Sequence, residues 1–348
     1  MRRRMKALVL TAGYGNGHIQ VARSLEQAFR RNGIDQVSIL DLMRKAHPVM
    51  DSIVKFLYER SLAASSYGFH YYGWSYYLTR DIETESLLAR WMNDLGADTL
   101  RKVIERERPD AIVSTFPFGC TASRLRRFGL TIPTFTVVTD FALHSRWIHS
   151  APDRFYVATD DLKAALVGQG VADHRVVVSG IPVRDMFHPA SARGNADGPQ
   201  KDSYEQHILF MAGAYGIWRE VRHIMHRLLG LPGVRVTAVC GRNEKLKRHL
   251  KNVFKHVPGA EIYGYVERVD ELMRRSDGIV TKAGGVTLSE AIQMNVPIFI
   301  FKPIPGQEKE NARFLAEKGA AQVSRTVGEL ADQIERLLFD GETAQRMK

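Results

Sequence analysis

The chain of 348 residues is poor in cysteine, in acidic charge and in long apolar runs. Its two cysteines, Cys120 and Cys240, stand far apart and form no CxxC pair, which excludes a disulfide scaffold and any familiar zinc spacing. Both flank apolar runs, so reduced, buried thiols in a cytoplasmic protein are expected. Nothing approaches the length of a membrane-crossing helix, so any membrane contact is expected to be peripheral. The N-terminal Arg2, Arg3, Arg4 and Lys6 precede only Ala7 to Leu10 before Thr11. That apolar stretch is too short for a secretory signal and reads as a buried first strand with a basic flank.

Acidic residues number 38 against 49 Lys and Arg, a formal charge of +11. Such a surface attracts nucleic acid, anionic lipid or acidic metabolites. The stretch from Arg219 to His256 holds ten Lys or Arg and two Glu. It reads either as a solvated helix face or as a lipid-facing surface. No recognisable nucleic-acid-reading motif accompanies it, so nucleic acid is not expected as a partner.

Present in their place are short β-branched runs alternating with helical periodicity. Lys6–Thr11 reads as a strand, and Val21, Ala22, Leu25, Ala28 and Phe29 follow at helical spacing up to Gly33. A helix is predicted over Leu87–Arg108, with strands at Ala111–Thr115, Thr134–Val138, Arg154–Ala158 and Val176–Ser179. Pro189 to Ser203 reads as a linker. The alternation then restarts and closes with helices over Gln307–Lys318 and Val327–Phe339. This pattern predicts an α/β protein of two parallel-sheet halves with a cleft between them. The expected domains are 1–186 and 207–325, joined by 187–206, with 326–348 as a helix packing back toward the first. One insertion stands apart: Tyr67, Phe69, Tyr71, Tyr72, Trp74 and Tyr76 read as a small aromatic subcore or as an interfacial surface.

Three glycine-rich turns lie between a strand and a helix. Thr11 to His18 lacks the third glycine of a dinucleotide fingerprint, and no Gly-Lys-Ser/Thr marks a P-loop. Asp41 is the one candidate for a ribose-binding acid after the second strand. Gly15, Asn16 and Gly17 leave a turn open to a ligand, with His18 on the first helical turn. Met211 to Gly216 opens the second half in the same way. Thr281 to Ala291 places Gly284 and Gly285 at a helix start, where backbone amides and the helix dipole suit a phosphate. Glu290 follows as a candidate for the two ribose hydroxyls. One strand later, Gln307, Glu308 and Asn311 offer the donors and acceptors that sugar hydroxyls need.

These motifs resemble the diacylglycerol glycosyltransferases, the family of bacterial processive glucosyltransferases and plant galactolipid synthases within glycosyltransferase family 28. The likeness runs through nearly the whole chain. It is densest at Gly13–Ala22, Val138–His144, Gly180–Arg184, Gly264–Arg268 and Lys282–Asn311, and weakest between Lys45 and Arg80 and after Val323. The Thr139-Asp140-Phe141 and Pro305–Asn311 segments separate it from relatives that glycosylate peptidoglycan precursors. Ala283 stands where many relatives carry proline, with both following glycines kept.

The resemblance implies a GT-B fold of two Rossmann-like domains and an inverting transfer that uses no metal and no cofactor. It implies that Gly213, Tyr215 and Gly216 meet the diphosphate together with Gly284, Gly285 and Thr287, and that Lys282 belongs to the donor site. Val266 is implied to hold the uracil through its backbone, Glu290 the ribose, and Gln307, Glu308 and Asn311 the hexose. The expected partners are a UDP-hexose, a diacylglycerol or glycolipid acceptor, and the anionic inner face of the cell membrane. His18 is the first candidate for the base and Asp140 the second. Transfer of N-acetylglucosamine to an undecaprenyl-linked acceptor and non-catalytic UDP-sugar sensing remain the alternatives.

Overall fold

The computed structural model describes residues 4–13, 16–65, 96–117, 125, 126, 128–149, 151–188, 206–213 and 218–340. The predicted linker, the aromatic insertion from Tyr67 to Tyr76, Cys120, Gly15, Tyr215 and Gly216 lie outside them. The chain divides into two compact units, Met1–Arg60 with Tyr72–Asp185 and Ser61–Tyr71 with Met186–Lys348.

The first unit begins with β1 (Lys6–Thr11), whose apolar run is almost wholly buried, and α1 (Asn16–Arg31). β2 (Gln36–Asp41) leads directly into α2 (Leu42–Ala46), because the Asp41 side chain accepts from Arg44 N at 3.1 Å and caps it. α3 (Pro48–Ser65) follows. α4 (Ala97–Glu107) falls within the helix predicted over Leu87–Arg108, of which 87–95 lie outside the described residues. Gly96 stands at its N-cap with φ +86°, a left-handed conformation that starts the helix at Ala97. β3 (Ala111–Ser114), β4 (Thr134–Val137), α5 (Ser145–His149), β5 (Arg154–Val157), α6 (Asp160–Gly168) and β6 (Val176–Val178) complete the unit. The six described strands are parallel in the order β2-β1-β3-β4-β5-β6. Leu8, Leu10, Leu100 and Ile112 centre one core layer, and Trp147, Phe155, Leu162 and Leu166 another. Helix-covered parallel strands are buried on both faces, which is why they read as unbroken apolar runs.

The second unit holds β7 (Gln206–Phe210), α7 (Trp218–Leu229), β8 (Val234–Val239), α8 (Glu244–Val253), β9 (Ala260–Tyr263), α9 (Val269–Arg274), β10 (Gly278–Thr281) and α10 (Gly285–Gln293). β11 (Ile298–Phe301), α11 (Gln307–Glu317), β12 (Ala321–Ser324) and α12 (Val327–Phe339) follow. β12 was not expected; its Ala-Gln-Val-Ser sequence is too short and mixed to announce a strand, and its place beside β11 makes it one. The sheet is again parallel, in the order β12-β11-β10-β7-β8-β9. α8 buries Leu246 and Leu250 and leaves Lys245, Arg248, His249 and Lys251 outside, so its basic residues form the exposed face of an amphipathic helix. α12 starts with a capping box between Thr326 and Glu329 and packs on α7, β11 and β12.

Candidate active site

In an open parallel sheet, a ligand crevice forms where the strand order reverses, beyond the carboxyl ends of the two strands that part there. In the first unit those strands are β1 and β3, and the turn carrying His18 lies beside the end of β3. The His18 Nδ1 is 2.7 Å from the Thr115 carbonyl oxygen. A carbonyl only accepts, so Nδ1 carries the proton and Nε2 keeps the lone pair that can accept one. The Thr139 hydroxyl oxygen lies 3.1 Å from the same Nδ1. The Thr115 hydroxyl also donates to the His18 carbonyl oxygen at 3.1 Å, so ring and backbone are held by one residue. Phe116 meets the imidazole edge-on at 5.1 Å between centroids, and Trp147 lies at 6.5 Å.

Burial lowers the His18 pKa from its usual value, against the opposing pull of the Asp140 carboxylate and the Thr115 carbonyl. The ring is therefore neutral at neutral pH and fit to accept a proton. Asp140 is itself buried, at 6% exposure, where its charge favours the imidazolium that protonation creates. Thr115 and Trp147 were not singled out in the sequence. The part of Thr115 follows from the β1–β3 pairing and that of Trp147 from the placing of α5, neither of which motif spacing encodes.

Gly13 has a different use from ligand approach. A Cβ built there would lie 2.5 Å from Lys55 Nζ and 3.1 Å from Asp41 Oδ2. Lys55 bonds Asp51 at 2.6 Å and lies 3.7 Å from Asp41. Asp41 is thus engaged with α2 and α3, which accounts for it without a ribose.

In the second unit the order reverses between β7 and β10, where Met211 N donates to Val280 O at 2.8 Å. The loop ending in Gly213 and the Lys282–Gly285 loop, some 70 residues apart in sequence, therefore lie side by side. Gly213 is exposed on one side and packed on the other, where a Cβ would stand 3.1 Å from the Cys240 carbonyl oxygen. Gly284 has space: the nearest atom to a built Cβ is Lys282 Cε at 3.8 Å. It caps α10 with φ −80° and ψ 129°, and as glycine it offers no side-chain cap bond. The first-turn amides have no partner within the helix, which makes the end of α10 a place for an anion. Thr287 is half-buried on the same turn.

Around this point stand the residues read as sugar ligands. Lys282 Nζ is 3.1 Å from Glu308 Oε1, and Ile304 N is 3.4 Å from Glu308 Oε2. Gly306 begins α11 with φ +105°, a conformation reserved for glycine, and Gln307 follows half-buried. Asn311 is fully buried and its amide donates to the Ala283 carbonyl at 3.1 Å, which ties it to the Lys282–Gly285 loop. Glu290 is 4% exposed on the second turn of α10. Val266 is half-buried just beyond β9, at the same end of the sheet but two strands from β7. Cys240 at the end of β8 is buried, and burial pushes its thiol up to about 11.

Two parallel doubly wound sheets with these loops at their carboxyl ends have the architecture of the GT-B fold. A solved structure of MurG from Acinetobacter baumannii matches 98% of this chain and 93% of its own at TM-score 0.61 and 17% identity. A glycosyltransferase of kitacinnamycin matches 99% and 93% at TM-score 0.65 and 14% identity. Residues 18–183 match the family described as monogalactosyldiacylglycerol (MGDG) synthase, and residues 220–348 the glycosyltransferase family 28 C-terminal domain. The processive diacylglycerol beta-glucosyltransferase of Bacillus thuringiensis (strain Al Hakam) is 39% identical over 99% of this chain and 88% of its own length. The chain belongs to the diacylglycerol glycosyltransferase family.

Proposed function

We propose that the protein transfers a hexose, glucose in preference to galactose, from a UDP-sugar to diacylglycerol or a glycosyl-diacylglycerol at a membrane surface. The observation that carries this reading is His18, whose Nδ1 proton is committed to Thr115 so that Nε2 is the acceptor. Nε2 takes the proton of the lipid hydroxyl as its oxygen bonds the anomeric carbon. The bond from that carbon to the diphosphate breaks, and UDP departs with the electron pair. The amides opening α10 and the Lys282 ammonium meet the charge that grows on UDP, so the reading requires no metal or cofactor. Asp140 stabilises the imidazolium formed. The relatives are named beta-glucosyltransferases, and UDP-glucose carries an α bond, so attack from the opposite face gives inversion.

The membrane part of the reading is supported by α3. Val49, Ile53, Phe56 and Leu57 are exposed at positions that share one helix face, opposite the buried Asp51. Among the described residues no helix is long and apolar enough to cross a membrane.

The test is transfer from radiolabelled UDP-glucose and UDP-galactose to diacylglycerol in vesicles, with and without a chelator, followed by separation of the lipids. A labelled β-glucosyl lipid that survives chelation is expected. Label arriving only on an undecaprenyl-linked acceptor, or on none, overturns the reading.

A further inference from the structure

Lys282 touches both parts of the donor site. Its side chain leaves the end of β10 and passes Gly284, with Cε 3.8 Å from the place a Cβ would take. Its ammonium ends 3.1 Å from Glu308 Oε1, at the start of α11. The Glu308 side chain is 12% exposed and that of Lys282 is 44% exposed, so the carboxylate is the sheltered partner and the ammonium the accessible one. One cation therefore stands between a helix end that attracts an anion and a carboxylate that is already there.

We propose that Glu308 serves as an exchangeable stand-in for phosphate, holding Lys282 until the diphosphate of the donor takes the ammonium over, and recapturing it as UDP leaves. The inference rests on the donor reading given above and adds a coupling between diphosphate and hexose recognition. A diphosphate carries more charge than one carboxylate and also gains the α10 amides, so it wins Lys282. Handover frees Oε1 of Glu308 to accept a hexose hydroxyl. With UDP-sugar bound, the displaced carboxylate regains a partner in the sugar. With UDP bound Oε1 regains none, leaving the sheltered carboxylate only the Ile304 amide on Oε2 and no countercharge, which is unfavourable. Glu308 therefore raises affinity for the donor relative to the product and hastens product release.

The experiment is calorimetric titration of the full chain with UDP, UDP-glucose and uridine, for wild type, Glu308→Gln and Lys282→Met. In Glu308→Gln, UDP is expected to bind roughly two- to fivefold more tightly, the scale of one partly exposed ion pair released. UDP-glucose gains no such increase, and UDP inhibits residual turnover more strongly. Lys282→Met is expected to weaken UDP about tenfold or more, the scale of a lost hydrogen bond between charged groups. Uridine, which lacks the diphosphate, changes in neither variant. A role confined to loop support would instead weaken all three ligands together. If Glu308→Gln lowers the melting temperature, Glu308→Ala is measured as well, with the same sign expected. UDP affinity unchanged or weakened in both Glu308 variants overturns the handover alone. A wild-type protein that binds no UDP overturns the donor reading, and this inference with it.

Discussion

Gly284→Ser should make the protein more stable and a poorer enzyme. The backbone of Gly284, at φ −80° and ψ 129°, already has the extended geometry of a helix N-cap, and a Cβ there meets nothing closer than Lys282 Cε at 3.8 Å. A serine hydroxyl at that position accepts from the amide of Val286 or Thr287. Relative to glycine the cap is worth a few tenths of a kcal/mol, roughly a degree of Tm or less. The same amides are those offered to the diphosphate. Losing one hydrogen bond to a charged group costs about 1.5–3 kcal/mol, so UDP affinity should fall roughly ten- to hundredfold. Gly213→Ala is the contrast. Its Cβ would lie 3.1 and 3.2 Å from the Cys240 carbonyl oxygen and carbon, backbone that has no rotamer to change. Overpacking of that kind costs about 1–3 kcal/mol. Thermal melts and UDP calorimetry on both variants separate the two glycines. Unaltered UDP binding in Gly284→Ser would refute the placement of the anion at α10, and a stable Gly213→Ala would refute the packing argument.

His18→Ala should lower kcat by about 10²–10⁴, the usual worth of a general base, with UDP affinity unaltered by calorimetry; near-normal turnover would move the base to Asp140. Because burial lowers the His18 pKa, the acid limb of the wild-type rate profile should fall below the ordinary histidine value of 6.5. Asp140→Asn removes the charge that favours imidazolium, so that limb should move lower still while the plateau drops; an upward move contradicts the assignment. His207 is buried with Nε2 2.7 Å from the Thr237 hydroxyl, and burial, reinforced by Arg275, lowers its pKa. The fold thus favours the neutral ring, so stability present above about pH 6.5 should be lost as pH falls below it. Melts of wild type against His207→Gln between pH 7 and 5 should show the steeper loss in wild type; parallel curves would exclude His207 as the cause. In a Cys120→Ser background, Cys240 should resist alkylation at pH 8 and react once unfolded, since burial raises its pKa to about 11; rapid labelling of the folded protein would contradict its placement.

Periodicity and glycine placement were enough to read two α/β halves and most of their strands. Those signals are local: an apolar run between turn residues is a buried strand whatever its neighbours, and Gly284-Gly285 before a helical pattern is a phosphate-type helix start by its own backbone. Strand order is not local. Only the assembled sheets set β7 beside β10, which brings Met211 to Val280, β10 beside β11, which brings Lys282 toward Glu308, and β1 beside β3, which delivers the Thr115 carbonyl to His18. Tertiary packing also reassigned particular residues. Asn311 donates to the Ala283 carbonyl from within, and Gly13 makes room for Lys55. The sequence by itself determined the kinds of element and the kinds of chemical group, because both are written in neighbouring residues. Which groups meet, which nitrogen of His18 is left to accept, and which polar side chains are spent on the fold were decided by pairings across 26 to 121 positions, and only burial and hydrogen-bond geometry fix those.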